Sequence, residues 1–91
     1  MAVTIHIPAP LREHTNQQER VAVEGGTVAA VLEDLSRQFP ALRERVFEPS
    51  GQVRRFVNIY LNDEDVRYLE HLATPVAAGD QVAIIPAVAG G

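Results

Sequence analysis

The sequence contains neither cysteine nor lysine among its 91 residues. The absence of cysteine excludes disulfides, thiolate metal sites and a cysteine nucleophile. The absence of lysine excludes Schiff-base chemistry at an ε-amine and leaves no side-chain acceptor for an isopeptide bond. The eight basic residues are all arginine. If this chain is joined to a lysine of another protein, it is therefore the acyl donor.

Long apolar runs and an excess of basic residues are also absent. No segment approaches the roughly 20 apolar residues that span a bilayer, and the N-terminus lacks the basic and apolar regions of a secretory signal. We therefore expect a cytoplasmic protein without a membrane partner. The net charge of −4 is opposite to the basic face that nucleic acid requires, so no nucleic-acid partner is expected.

The length of the chain predicts one domain with one core. A protein of this size buries roughly 64% of its extended-chain surface, which leaves little room for an enclosed substrate cavity. We expect residues 1–85 to form the domain and residues 86–91 to form a flexible C-terminal tail. Any function should then lie on the surface or at an end of the molecule.

The first half of the sequence predicts two strands and one helix. Residues 3–7 and 19–23 have the pattern of strands, and the polar residues between them predict a connecting loop. Thr27 is placed as a helix N-cap, and apolar residues then recur at helical spacing as far as Phe39. Pro40 marks the predicted end of the helix, and residues 42–47 predict one further helical turn that closes the core.

The second half predicts further strands. Residues 55–61 have the clearest strand pattern; residues 62–65 predict a polar turn, residues 66–67 a short strand and residues 81–85 the final strand. This order predicts an α+β fold in which a mixed sheet of four or five strands packs on one main helix. A right-handed crossover would place a later strand beside the first. If the last strand is central, the tail projects from a fixed point.

After the final strand, six residues without a charged side chain end in a double glycine: Pro86, Ala87, Val88, Ala89, Gly90 and Gly91. We expect Gly91 to carry a free α-carboxylate, which is ionised at neutral pH and can attack the α-phosphate of ATP. Glycine has no Cβ, so the backbone can thread a narrow slot and leave the carbonyl carbon open to attack. The resulting acyl-adenylate can react with a sulfur donor to give a thiocarboxylate.

Histidines and an acidic run raise the question of a metal site. His6, His14 and His71 lack the i, i+4 spacing of helical zinc ligands, and His6 is expected to point to solvent from its strand. The Asp-Glu-Asp run at residues 63–65 lacks the ligand order of a calcium loop. It favours a solvated turn, with contact to an arginine of a partner as the functional alternative. No metal site is predicted.

Two further patterns have a structural and a functional interpretation. The Gly-Gly-Thr at residues 25–27 matches no phosphate-binding motif, and a turn with an N-cap explains it. A basic cluster is formed in the sequence by Arg43, Arg45, Arg54 and Arg55. A solvated face is the simpler interpretation of that cluster, whereas a docking patch for an acidic surface of an activating enzyme is the functional one.

Over essentially its whole length the chain resembles the ubiquitin-like sulfur carriers of the MoaD/ThiS family, which includes the molybdopterin-synthase small subunit. The resemblance rests on the order and spacing of Leu11-Arg12-Glu13, the helix that ends at Phe39-Pro40, Gly79-Asp80 and the terminal Gly90-Gly91. Within the family, residues 55–60, 62–67 and 85–91 look like those of the carriers that serve the thiocarboxylate route to cysteine. The resemblance implies a β-grasp fold, as in ubiquitin.

The resemblance also implies a reaction cycle in which the chain is a carrier and cosubstrate, not an enzyme. A ubiquitin-activating-enzyme-like adenylyl/sulfurtransferase uses ATP to adenylate Gly91 and to install sulfur. A pyridoxal-phosphate (PLP)-dependent cysteine synthase then adds this sulfur to an aminoacrylate made from O-phosphoserine. A zinc-dependent JAMM-type protease releases the cysteine. The chain itself is expected to bind no cofactor, and residues 86–90 are expected to insert into the partner.

Several alternatives within the same fold remain open. Molybdopterin-synthase small subunits more often have two prolines where this chain has Pro86-Ala87, which makes that role less favoured. Sulfur carriage for thiamine or for tRNA thiolation uses the same carboxylate. A ubiquitin-like protein modifier also adenylates its tail but ends in an isopeptide bond with a target lysine.

Overall fold

The computed structural model describes residues 2–86, which fold into one sheet and one main helix. The strands are β1 (Ala2–His6), β2 (Arg20–Glu24), β3 (Val57–Leu61), β4 (Glu64–Asp65) and β5 (Gln81–Pro86), and the helices are α1 (Val28–Gln38) and α2 (Arg43–Val46). Short 3₁₀ helices occupy Ala9–His14, Pro40–Leu42, Val66–Tyr68 and His71–Ala73. The predicted α+β fold with a mixed sheet on one helix is confirmed, with five strands.

The sheet has the strand order β2-β1-β5-β3-β4, so β5 lies in its centre. β1 pairs antiparallel with β2 and parallel with β5, and β5 pairs antiparallel with β3. The parallel pair requires the crossover through α1 that the sequence predicts. β5 is paired with β1 at residues 81–83 and with β3 at residues 82–86, so the last described strand lies in the middle of the sheet.

Helix α1 begins where the sequence predicts. The backbone N–H of Ala30 donates to Thr27 Oγ1 at 3.1 Å, which satisfies one of the free donors of the first turn. Ahead of this cap, a Cβ on Gly25 would lie 2.8 Å from the Cβ of Ala30, so the chain needs glycine where it turns closely against the helix. The backbone N–H of Phe39 bonds the carbonyl of Leu35 and closes the helix before Pro40.

One contiguous core joins the helix to the sheet. It contains apolar side chains of α1, α2 and four of the strands: Val28, Val31, Leu32, Leu35, Val46, Val3, Ile5, Val21, Val23, Ile59, Leu61, Val82 and Ile84. Leu42 and Phe47 close one end of this core, as predicted for the turn after α1. No buried polar side-chain atom in residues 2–86 lacks a hydrogen-bond partner. The same residues contain no helix long and apolar enough to cross a membrane.

Three local predictions are wrong in detail. The connection between β1 and β2 contains a 3₁₀ helix instead of an irregular loop throughout. Residues 62–65 are not all turn, because Asn62 and Asp63 alone reverse the chain with φ of 49° and 72°, and β4 resumes at Glu64. Residues 66–67 lie in a 3₁₀ helix and not in a strand, since the side chain of Asp65 accepts from the N–H of Arg67 and ends β4 there.

Candidate functional site at the end of the central strand

The described part of the predicted tail is its first residue. Pro86 is the last residue of β5 and pairs with Val57, the first residue of β3. Proline fixes φ and cannot donate to a ladder, which suits the last position of a strand. The other predicted site residues, Ala87, Val88, Ala89, Gly90 and Gly91, lie outside the described residues. At this end β5 is paired with β3 only, because its pairing with β1 ends at Ala83.

A network of hydrogen bonds holds the beginning of β5. Asp80 accepts from the N–H of Ala77 at 2.8 Å and from the side-chain amide of Asn62 at 3.1 Å. Asn62 also accepts from the N–H of Gln81 at 3.0 Å, and its own N–H donates to the Gln81 carbonyl at 2.8 Å. These bonds tie the β3–β4 turn to the first residue of β5. The register of the central strand, and with it the position of Pro86, is set at this end.

The same bonds give Asp80 a pH-dependent contribution to stability. The Ala77 N–H first, and then the Asn62 amide, hold the pKa of its carboxyl below the ordinary value of about 3.9. The unfolded chain therefore binds more protons than the folded one at acidic pH. The stabilisation is complete above the unfolded pKa and is lost as the pH falls through the folded one. Asp34, hydrogen-bonded by the N–H of Glu24, and Asp65 act in the same direction.

We expect the free energy of unfolding to fall between about pH 5 and pH 2, and Asp80→Asn to make this fall shallower. Urea denaturation followed by circular dichroism across that range measures the slope. Asp63→Asn, which removes the same charge from an exposed side chain in the neighbouring turn, is the matched control. Equal changes of slope in the two variants would contradict the assigned role of Asp80.

Apolar and aromatic side chains are exposed near the point where the chain leaves β5. Ile85 is 44% exposed and Phe56, next to Val57, is 57% exposed. The guanidinium of Arg55 lies 5.8 Å from the centre of the Phe56 ring, within cation–π distance. The sequence predicts a strand that begins at Arg55 and includes Phe56. In the structure β3 begins at Val57, because a turn precedes it in which the Val57 N–H donates to the Arg54 carbonyl.

The predicted basic cluster is divided in the structure. Arg43 donates to Glu33 of α1 at 2.6 Å, and Arg54 Nε donates to the carbonyl of Glu44 at 2.6 Å. Arg54 and Arg55 line a groove beside β3, and Arg45 lies with Glu44 and Arg54 at a separate depression. Arg54 and Arg55 come three and two residues before Val57, which pairs with Pro86, so this part of the cluster is close to the end of β5.

The acidic run at residues 63–65 does not form a solvated turn throughout. Asp63 and Glu64 are exposed, but Asp65 is only 6% exposed. Its carboxylate accepts from the guanidinium of Arg67 at 2.7 Å and from the Arg67 backbone N–H at 2.9 Å. The arginine that contacts this run therefore belongs to the chain itself. The Arg67 side chain, and then its N–H, lower the pKa of Asp65.

The three histidines lie in different parts of the structure, and each has its own neighbours. His6 Nε2 lies 2.8 Å from the side-chain oxygen of Gln81, across the paired strands β1 and β5, and His14 lies 3.4 Å from Glu13. His71 lines the groove beside β3 with φ of 54°. Within residues 2–86, no three histidine, cysteine, aspartate or glutamate side chains are grouped so that they could hold a metal ion.

A mixed five-stranded sheet wrapped on one helix, with a central last strand that leads to a double glycine, defines a ubiquitin-like β-grasp protein. The sequence of residues 5–91 matches the ThiS family. This chain belongs to that family, as the resemblance in the sequence predicts.

Individual relatives agree over the whole length of the chain. The sulfur carrier protein CysO of Mycobacterium tuberculosis is 52% identical over 93 residues, with 100% of both chains covered. A chain in the crystal structure of the Amycolatopsis orientalis BexX/CysO complex superposes with a TM-score of 0.91 at 40% identity, over 99% of this chain and 100% of that one. Small archaeal modifier protein 1 of Methanosarcina acetivorans gives a TM-score of 0.90 at 30% identity, over 99% and 96% of the two chains.

Proposed function

We propose that the chain is a sulfur carrier protein whose acting group is the carboxylate of Gly91. The observation that carries the proposal is the 52% identity with a protein named as a sulfur carrier, over an alignment that covers the whole of both chains. The position of β5 in the centre of the sheet supports it, because a segment that must enter a partner's active site benefits from a rigid origin. Gly90 and Gly91 supply the narrow, unhindered end.

The proposed reaction begins with activation by a separate ATP-dependent enzyme of the ubiquitin-activating type. The Gly91 carboxylate attacks the α-phosphate of ATP, pyrophosphate leaves, and an acyl-adenylate forms. A sulfur nucleophile then attacks the acyl carbon and expels AMP, so that one carboxylate oxygen is replaced by sulfur. This chain supplies the acyl group and no catalytic side chain. The structure of a relative in complex with BexX is consistent with activity through a partner protein.

We further propose cysteine as the product to which the sulfur passes. The thiocarboxylate adds to an aminoacrylate that a PLP-dependent enzyme makes from O-phosphoserine. A shift of the acyl group from sulfur to nitrogen leaves cysteine in amide linkage to Gly91, and hydrolysis by a JAMM-type protease restores the carboxylate. This assignment within the family rests on the similarity to CysO and on the terminal sequence Ile85-Pro86-Ala87 that the chain shows.

A test of the cysteine route loads the chain with sulfur and presents it to a CysO-type synthase. When O-phosphoserine is present, we expect the mass of the chain to exceed that of its carboxylate form by one cysteine residue. Fragment ions should place the addition at Gly91. The same mixture without O-phosphoserine is the control. If the loaded chain donated sulfur to a thiamine or molybdopterin precursor but never gained cysteine, the assigned acceptor would be wrong. The carrier role would still stand.

A ubiquitin-like modifier is the second candidate, favoured by the similarity to small archaeal modifier protein 1. The adenylated Gly91 would then be attacked by a lysine amine of a target protein. The chain has no lysine, so it would be the donor and could not form chains through its own side chains. Peptides from native cells that carry the C-terminal glycine on a lysine would identify this role, whereas a terminal thiocarboxylate without such peptides favours the carrier.

A further inference from the structure

A groove of about 420 Å³ runs beside β3 on the side away from β5. One wall is formed by residues 51–55 and the other by residues 65–67 with His71 and Leu72. Val57, Asn58 and Ile59 of β3 lie between the two walls. We call this surface the β3-edge groove.

The backbone edge of β3 is only partly covered within residues 2–86. β4 pairs with Tyr60 and Leu61, whereas Val57, Asn58 and Ile59 are paired with a strand on the β5 side only. The N–H of Val57 already donates to the Arg54 carbonyl, so the open part of this edge is centred on Ile59. β4 stops after two residues because Asp65 caps the following 3₁₀ helix. A partly open strand edge that borders a groove is the arrangement to which an extended peptide adds as a further strand.

The charge of the groove is opposite to that of the whole chain. Arg54, Arg55 and Arg67 line it and are exposed, in a protein with net charge −4. Among the described residues that line the groove, Asp65 has the only carboxylate, and it is paired with Arg67, so Arg54 and Arg55 supply the excess positive charge. Arg55 makes its contact with the exposed Phe56 ring, so it lies near solvent. An occupant with carboxylate side chains is therefore complementary in charge.

Between the arginines the groove is apolar. Its lining includes Val53, Val57, Val66 and Leu72, and Ile59 closes the floor. The bridge between Phe47 and Val53 holds the 51–55 wall against the core, and the Arg54 N–H donates to the Val46 carbonyl at 2.9 Å. Alternate side chains of an added strand point to opposite faces, so aliphatic residues can rest on this surface while acidic ones meet the arginines.

We propose that the β3-edge groove binds an extended acidic and aliphatic segment of a partner protein, which adds as a short strand along residues 57–59. The groove lies at the origin of the terminal segment, since Val57 both lines it and pairs with Pro86. The five residues after Pro86 span at most about 18 Å, so a partner seated here has Gly91 within its reach. The binding itself does not depend on chemistry at Gly91.

The test is a titration of the ¹⁵N-labelled chain with the peptide acetyl-Glu-Asp-Val-Ile-Val-Asp-Glu-amide. We expect saturable shifts of the amides of Val57, Asn58 and Ile59, with a Kd on the order of 100 μM for so small an interface. The same peptide with lysine in place of each acidic residue should not bind. No activating enzyme or ATP is present, so a failure here leaves the sulfur-carrier proposal untouched.

Two arginine variants test the charge complementarity. Arg55→Glu should weaken binding about tenfold, because one partly solvated charge contact is lost and replaced by a repulsion. Arg20→Glu makes the same change of charge on β2, at the opposite edge of the sheet, and should bind within about twofold of the parent. Both positions are exposed, so both variants are expected to fold.

Any one of four results in these titrations would overturn the proposal, and a fifth can come from a truncated chain. The four are equal binding of the two peptides, equal losses in Arg55→Glu and Arg20→Glu, shifts that leave the amides of residues 57–59 unchanged, and shifts of those amides with protein concentration alone. The last result would assign the groove to a second copy of the chain. A chain truncated after Pro86 that shows the same amide shifts without peptide would assign the groove to residues 87–91 and would equally overturn the proposal.

Discussion

Removal of Gly91 is expected to abolish adenylation of the chain while leaving its stability unchanged. The proposed nucleophile is the carboxylate of this residue, and a carboxylate on Gly90 would lie one residue, about 3.5 Å, short of the α-phosphate. Catalysis of this kind falls steeply when reacting atoms are displaced by even one ångström. ATP–pyrophosphate exchange with the activating enzyme measures the loss. The rate of exchange should fall to the background rate that is seen without the carrier.

Stability and tail chemistry are measured on the same variants. The core side chains named above all lie within residues 3–84, so the midpoint of thermal unfolding should change by less than about 3 °C. Gly90→Val keeps the length but adds a branched side chain beside the reacting carbon, and it should also lose exchange. Ala87→Gly alters the terminal segment without adding bulk and should retain exchange. Normal exchange by the Gly91 deletion would remove the proposed site.

Truncation of Leu32 is expected to have the largest effect on stability. Leu32 lies on the inner face of α1, is 1% exposed and belongs to the cluster that includes Val82 and Ile84 of the central strand. Leu32→Ala removes buried methyl groups and leaves a cavity, which costs about 3 kcal/mol of unfolding free energy. In a domain of this size, that loss lowers the unfolding midpoint by about 15 °C. Guanidinium denaturation and calorimetry measure the two quantities.

Leu11→Ala is the control for this prediction, since it makes the same chemical change at a half-buried position. Leu11 only packs against the edge of the core, so the expected loss is about 1 kcal/mol. If the two leucine variants were destabilised equally, the core would not be centred on the contact between α1 and the sheet. Leu32→Ala should still be adenylated at temperatures where it remains folded, because the residue lies on α1, outside the terminal segment.

The central features of the fold follow from local patterns that are complete within the sequence. The apolar spacing from Val28 to Leu35 defines one helix face, and Thr27 supplies its cap. The predicted strand at residues 81–85 is confirmed as β5, and β5 is the later strand that the predicted crossover places beside β1. Family resemblance and the pattern of the residues lead to the same fold.

The features that the sequence did not predict depend on contacts between distant segments or on turn geometry. The turn at Asn62 and Asp63 needs positive φ at both residues, and neither is a glycine. The sequence therefore predicts a turn over residues 62–65 instead of a two-residue hairpin to β4. The one indication of a two-residue turn in the sequence is the Asn-Asp pair, since both residue types tolerate positive φ. The β3-edge groove had no comparable signal, because it forms only when residues 51–55 and 65–72 meet beside β3.

The burial of Asp65 shows the same limit. A run of three acidic residues usually faces water, and two of these three do. Asp65 differs because Arg67, two residues later, folds back onto it when β4 ends. The sequence shows that Asp65 and Arg67 are two residues apart. Whether their side chains meet depends on the 3₁₀ helix that follows Asp65.

Intact and fragment mass spectrometry of the protein from its native cells detects sulfur at Gly91 directly. We expect a population whose mass has increased by the exchange of one oxygen for sulfur, with fragment ions that confine the change to Gly91. Oxidation of Met1 gives a gain of similar mass, so the position of the change decides the result. A chain that never carries sulfur at Gly91, in cells where its activating enzyme is present, would contradict the sulfur-carrier role.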